Sequence, residues 1–226
     1  MGRVAVILGS NGLGPGGEDL AATAAERGAL VLQRHVGPGG AYTLPHQIDY
    51  AASLRGLAEQ GCDRVLAVGS VGSLRAELPV GSLVCPHDFI ALHLGLTTLS
   101  DVRAHRPPGF DAEWRSRFLA ACLAGGAPPV QGDGVYWQAI GPRFETPAEI
   151  RLMAAHADVV GMTIASECIV AGELGLRYAA ICAVDNLANG LGSEPLGIEG
   201  LERVRATNVA LLRDLLDVTL PHLSDG

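Results

Sequence analysis

The 226 residues fit one α/β domain, and 48% hydrophobic against 18% charged residues gives it the material for a large core or a core plus a subunit interface. A formal net charge of −8 repels nucleic acid and anionic lipid, and no apolar run reaches the roughly 18 residues of a membrane span, so the expected partner is a small molecule. All sixteen basic residues are arginine, which excludes lysine Schiff bases and lysine phosphate loops; an anion must be held by arginine, histidine, hydroxyls or backbone amides.

Val4-Ala5-Val6-Ile7-Leu8 runs straight into a glycine turn with no cleavage pattern, so it reads as a first strand rather than a signal peptide. The turn, Gly9-Ser10-Asn11-Gly12-Leu13-Gly14, lacks the register of a dinucleotide fingerprint. Leu30–Gln33 predicts a second strand followed by Arg34 and His35. Tyr50, Leu54 and Leu57 predict a helix stopped by Gly61, and Arg64–Val68 a third strand followed by a turn at Gly69-Ser70-Val71-Gly72-Ser73. Ser82–Ile90 and Val135–Ile140 predict two further strands, with Phe144 and Glu145 shortly after the second of them. Thr146-Pro147-Ala148-Glu149 carries a hydroxyl cap, a first-turn proline and a capping-box glutamate, which gives Glu149 a structural task and leaves Glu145 free to face a ligand.

Asp158–Gly161 predicts a sixth strand followed by Met162 and Thr163, then a helix with Ile169, Val170 and Leu174 stopped by Gly175. Tyr178–Val184 predicts a seventh strand followed by Asp185 and Asn186. A last helix carries Leu201, Val204, Leu211, Leu212 and Leu215 on a stripe interrupted by Asn208. Strands alternating with helical segments predict a single-domain mixed, mainly parallel central sheet flanked by helices, spanning residues 1–226. Cys62, Cys85, Cys122, Cys168 and Cys182 have no metal or redox spacing and read as reduced core thiols of a cytoplasmic protein; the seven histidines form no metal motif.

In sheets of this kind ligands bind beyond the carboxyl ends of the strands, where the polar residues above converge. Hydroxyls, glycine amides and Arg34 suit an oxyanion; an amide and a carboxylate suit a heterocycle.

At these residues the chain resembles the trimeric purine nucleoside phosphorylase and methylthioadenosine phosphorylase family over nearly its whole length. The stretch Gly141-Pro142-Arg143-Phe144-Glu145-Thr146-Pro147-Ala148-Glu149, then Val160-Gly161-Met162-Thr163 and Glu167, carries the likeness, supported by Arg34-His35, Pro45-His46 with Tyr50, and Gly69–Leu74. The resemblance implies a phosphate site from Ser10 or Asn11, Arg34, His35, Ser70 and Thr163, with Met162 on the ribose, Phe144 on the base and Asp185 nearby. It gives Glu145 and Asn186 the catalytic recognition of a 6-oxopurine. It further implies inorganic phosphate as co-substrate, no cofactor and no metal, and a homotrimer or a dimer of trimers; Leu92–Gly109 is a candidate segment for reaching a neighbouring subunit's site. Relatives that cleave nucleosides place a histidine where this chain has Ile198, Glu199, Gly200 and Leu201; a small apolar pocket there suits a 5′-methylthio or 5′-deoxy group, which sets 5′-methylthioinosine beside inosine and guanosine as an expected substrate. A nucleosidase on the same scaffold and a non-catalytic nucleoside-binding domain are the alternatives.

Overall fold

The computed structural model describes residues 2–13, 15–192 and 198–224. Among the described residues nine strands form one curled sheet: β1 (Arg3–Leu8), β2 (Leu30–Gln33), β3 (Cys62–Ser73), β4 (Leu83–Val84), β5 (Asp88–Ile90), β6 (Val130–Gln131), β7 (Val135–Gln138), β8 (Val159–Gly161) and β9 (Arg177–Leu187). The helices between them are α1 (Gly17–Glu26), α2 (Tyr50–Glu59), α3 (Ala112–Ala124), α4 (Pro147–Ala154), α5 (Ile164–Glu173) and α6 (Ile198–Ser224). β3 is the spine. It pairs in parallel with β1 and β9, and its last residues, Gly72 and Ser73, add an antiparallel pairing with β8, behind which β7 and β5 follow in parallel. β4 joins the other side of β9 antiparallel, so the sheet is mixed but mainly parallel.

The strands read as unbroken apolar runs because both faces are covered. Along β1, Ala5 and Ile7 enter the core shared with α2 and α5, while Val4, Val6 and Leu8 enter the core shared with α1, α3 and α6. β9 divides likewise: Ala180, Cys182 and Val184 face one way, and Ala179, Ile181 and Ala183 the other. Positive φ at Gly61 and Gly175 ends the turns after α2 and α5, as their spacing predicts. All five cysteines are buried free thiols. Among the described residues no helix is long and apolar enough to cross a membrane.

Four element readings need correction. The single strand expected over Ser82–Ile90 is two, β4 and β5, on different parts of the sheet; Pro86 between them has no N–H for a ladder. The turn expected at Gly69–Ser73 is instead the second half of β3, and Asp185-Asn186 lies inside β9 rather than after it. Glycine permits this close approach: a Cβ on Gly69 would stand 3.2 Å from Cys182 Sγ, and one on Gly72 would stand 3.3 Å from Asn186 Nδ2. The strand expected over Val135–Ile140 stops at Gln138.

Candidate active site

A cleft of about 210 Å³ opens at the carboxyl ends of β1, β2 and β8 and along the late halves of β3 and β9. Its rigid end is built around Arg34, whose amide continues the β1–β2 ladder by donating to Leu8 O at 3.1 Å. The guanidinium runs beneath Gly9, where a Cβ would lie 3.1 Å from Nη1, so the first turn needs glycine there. Nη1 donates to Thr163 Oγ1 at 2.9 Å and Nη2 to Glu167 Oε2 at 3.1 Å; Nε stands 2.8 Å from Glu167 Oε1 without its N–H being aimed at that oxygen. Tyr178 donates its hydroxyl to Glu167 Oε2 at 2.6 Å.

Burial pushes the Glu167 carboxyl up, and Arg34 and Tyr178 pull it back. Two hydrogen-bond donors and a third cationic nitrogen converge on its oxygens, the setting of a carboxylate, and on that geometry the pair is ionised. Burial is the largest influence on Arg34 and opposes its charge, and Glu167 together with Tyr178, Tyr50 and Tyr136 more than restores it.

Thr163 stands at the start of α5 yet does not cap it with its side chain. That task falls to β7. Tyr136 Oη accepts from the amides of Thr163 and Ile164 at 3.2 and 3.4 Å, and Gln138 Oε1 accepts from Ser166 N at 3.1 Å. The Thr163 hydroxyl therefore accepts from Arg34 and keeps its own proton for a ligand.

Of the two first-turn candidates, Ser10 lines the cleft, whereas Asn11 is fully buried, lines no part of it, and among the described residues has no hydrogen-bond partner for either side-chain polar atom. His35 lines the cleft with its ring stacked on Tyr42, centroids 5.3 Å apart. Burial lowers its pKa, reinforced by Arg34 and Arg205, so the ring is neutral. Its Nδ1 lies 2.9 Å from Thr43 O, and a carbonyl only accepts; the proton is therefore on Nδ1, and Nε2 is an acceptor.

The opposite wall is a β-bulge. β9 pairs Val184 with Val71 and Asn186 with Gly72, leaving Asp185 as the extra residue. In a regular strand neighbours point to opposite faces, but this bulge lets Asp185 and Asn186 both line the cleft. Asp185 accepts from Ser70 Oγ in a short hydrogen bond and from Asn208 Nδ2 at 2.6 Å; Asn208, the residue that interrupts the apolar stripe of α6, also donates to Val184 O. Burial raises the Asp185 pKa against these partners. Ser70 thus reaches the cleft, but its hydroxyl proton is directed to Asp185 rather than toward an anion.

At the outer end stand Phe144, half exposed, and Glu145, buried and pushed up in pKa by that burial. Asn189 Nδ2 donates to Glu145 O at 2.9 Å and fixes the loop. Beside it the capping box is complete, and Arg143 holds the Glu149 carboxyl down to about 2, which confirms the cap reading of that residue. Asn186 Nδ2 donates to Leu187 O at 2.8 Å, leaving its second N–H and Oδ1 for a ligand. Met162 lines the cleft, and Gly141, at φ 70°, admits it where a Cβ would meet Sδ at 2.6 Å.

The structure therefore gathers Ser10, Arg34, His35, Ser70, Phe144, Glu145, Met162, Thr163, Asp185 and Asn186 around one cleft and leaves Asn11 outside it. Sequence reasoning missed Tyr42, Asn189 and Arg205. Arg205 had a signal, because with Asn208, Val209 and Leu212 it keeps helical spacing on the inward stripe of α6. The side chains of Ile198–Leu201, expected near the 5′ end of the sugar, lie outside the described residues.

The fold is that of an α/β protein whose mixed sheet brings an arginine–threonine pair and a carboxylate–amide pair to one cleft. The chain belongs to the phosphorylase superfamily, whose model matches residues 6–220. It is 42% identical over 152 residues to a probable 6-oxopurine nucleoside phosphorylase of Archaeoglobus fulgidus, covering 67% of this chain and 63% of that one. It is 34% identical over 189 residues to a probable S-methyl-5′-thioinosine phosphorylase of Methanothermobacter thermautotrophicus, covering 79% and 64%. The chain thus spans under two thirds of the length of these curated relatives. A methylthioadenosine phosphorylase from Schistosoma mansoni in complex with adenine shares the fold, with TM-score 0.84 at 23% identity over 100% of this chain and 93% of that one.

Proposed function

We propose that this chain is a cytoplasmic phosphorolytic enzyme, one catalytic unit over its full length and needing no cofactor. It cleaves a 6-oxopurine nucleoside, or its 5′-methylthio counterpart, into free base and ribose 1-phosphate or its 5-methylthio form. The observation that carries the reading is one cleft holding both the Arg34–Thr163 cradle and the Glu145–Asn186 pair. An oxygen of phosphate, held at the cradle, bonds to the anomeric carbon while the glycosidic bond breaks and its electron pair leaves with the base. Positioning and electrostatic stabilisation do most of the work. Arg34 and Thr163 hold the nucleophile. Asn186 donates toward the negative charge growing on the purine, and Glu145 accepts from the ring N–H that 6-oxopurines carry. The similarity to relatives named for oxopurine and methylthioinosine phosphorolysis supports this base preference. A homotrimer is part of the proposal.

The test is release of free base from inosine, guanosine, 5′-methylthioinosine and 5′-methylthioadenosine, each with and without phosphate. Phosphate-dependent cleavage of the oxopurines is expected, and cleavage that ignores phosphate would replace the reading by a nucleosidase. The pH dependence adds a check on Glu145. The ionised form is the stronger acceptor for that N–H, whereas the protonated acid can donate to the bare ring nitrogen of adenosine; burial raises its pKa, so preference for inosine over adenosine is expected to fall on acidification sooner than an ordinary carboxylate would dictate. The ratio of the two kcat/KM values cancels the titration of phosphate itself, and a flat ratio would remove Glu145 from the role.

A further inference from the structure

The charges around the cleft do not favour an anion. Arg34 is matched by Glu167, and Asp185 and Glu145 add two carboxylates on the cleft wall, while His35 is neutral. Among the described residues an entering phosphate meets two cations, Arg34 and Arg205, against three carboxylates.

The two arginines are not alike. Arg34 is locked by hydrogen bonds to Thr163 and Glu167. Arg205 comes from α6, lines the cleft, and has a buried Nε with no hydrogen-bond partner among the described residues. Among the described residues its ion-pair partner is Asp185, whose Oδ2 is 3.9 Å from Nε, close enough to attract the charge and too far to accept a hydrogen bond. Asp185 is already engaged by Ser70 and Asn208, so it restrains Arg205 without satisfying it. Both guanidiniums act on His35, which puts a ligand at that imidazole within reach of the two fields.

We propose that Arg205 is a second phosphate-binding residue of this cleft, kept beside it by Asp185 and turning its donors onto the oxyanion when phosphate enters. The proposal rests on the phosphorolytic reading of the site. Arginine suits the task because its planar fork meets two phosphate oxygens at once, and the unsatisfied Nε gains a partner in doing so. α6 thereby serves the site twice in adjacent turns: Asn208 anchors the carboxylate, and Arg205 supplies the mobile charge.

The experiment is calorimetric titration of inorganic phosphate into the nucleoside-free protein, for the wild type, Arg205→Met and Arg205→Lys, with steady-state KM values for phosphate and nucleoside alongside. Loss of a charge-assisted contact is expected to weaken phosphate binding on the order of 10- to 100-fold in the methionine variant. The lysine variant recovers part of that loss, and the nucleoside KM stays unchanged. Wild-type phosphate affinity in Arg205→Met overturns the proposal, as does a change confined to the nucleoside KM, which would place Arg205 against the sugar. If the methionine variant fails to fold, the lysine variant carries the test: weaker phosphate binding supports the proposal and unchanged binding overturns it. A wild type that binds no phosphate and cleaves without it would instead bring down the phosphorolytic reading itself.

Discussion

Two charged networks face each other across the cleft, and they are built on opposite plans. Around Arg34 every partner is buried and within hydrogen-bond or ion-pair distance, drawn from the end of β2, the start of α5 and the start of β9. Around Asp185 the frame is a strand bulge and one helix face, and the cation, Arg205, stands off at 3.9 Å. A site that must hold a nucleophile in one place and also admit it from water needs both, a fixed cradle to set position and a loose charge to respond.

Breaking the fixed side gives the largest effect. Glu167→Gln keeps the size of the side chain but leaves Arg34 as a buried charge without its counter-ion, which is expected to destabilise the fold by about 3–5 kcal/mol. Urea unfolding measures it. Added phosphate should restore more stability to this variant than to the wild type, since the dianion replaces the missing charge. A variant as stable as the wild type would show that Arg34 is solvated and the cradle is not preorganised.

The bulged side is next. Asn186→Ala is expected to lower turnover by about 100- to 1,000-fold, the usual effect of removing one donor aimed at developing charge. Phosphate binding, set by the other network, should stay intact. A loss of phosphate affinity in step with kcat would mean that the two sides are coupled through β9 rather than independent.

The sequence made the two sides legible to different degrees. Arg34, Thr163 and Glu167 stand in short segments next to strand ends, and the sheet's two-sided burial shows in unbroken apolar strands such as Val4–Leu8. The bulge was not legible, because a one-residue slip at Val71/Gly72 depends on how close β3 and β9 approach, which spacing along either strand does not encode. For the same reason Gly69–Ser73 read as a turn: its glycines answer to Cys182, Ile164 and Asn186 across the sheet, not to positive φ. Asn208 was visible as a polar break in the stripe of α6 and Arg205 was passed over, and only the fold brings them to Asp185.

The smallest effect discriminates best, since it concerns two hydroxyls that the sequence assigns the same task. Thr163 accepts from Arg34 and keeps its proton for a ligand, whereas Ser70 gives its proton to Asp185. Thr163→Val retains shape while removing the donor, and a hydrogen bond to a charged group lost in this way is expected to raise the phosphate KM by about 10-fold or somewhat more. Ser70→Ala removes a hydroxyl already committed elsewhere, so its phosphate KM should move by no more than about 3-fold, within the lower range for a single hydrogen bond. Its effect should appear instead in Asp185, whose carboxylate loses a donor and whose attraction for Arg205 rises. Comparable losses in the two variants would mean that Ser70 turns from Asp185 to phosphate as the site fills, and the loose side of the cleft would then include the strand as well as the helix.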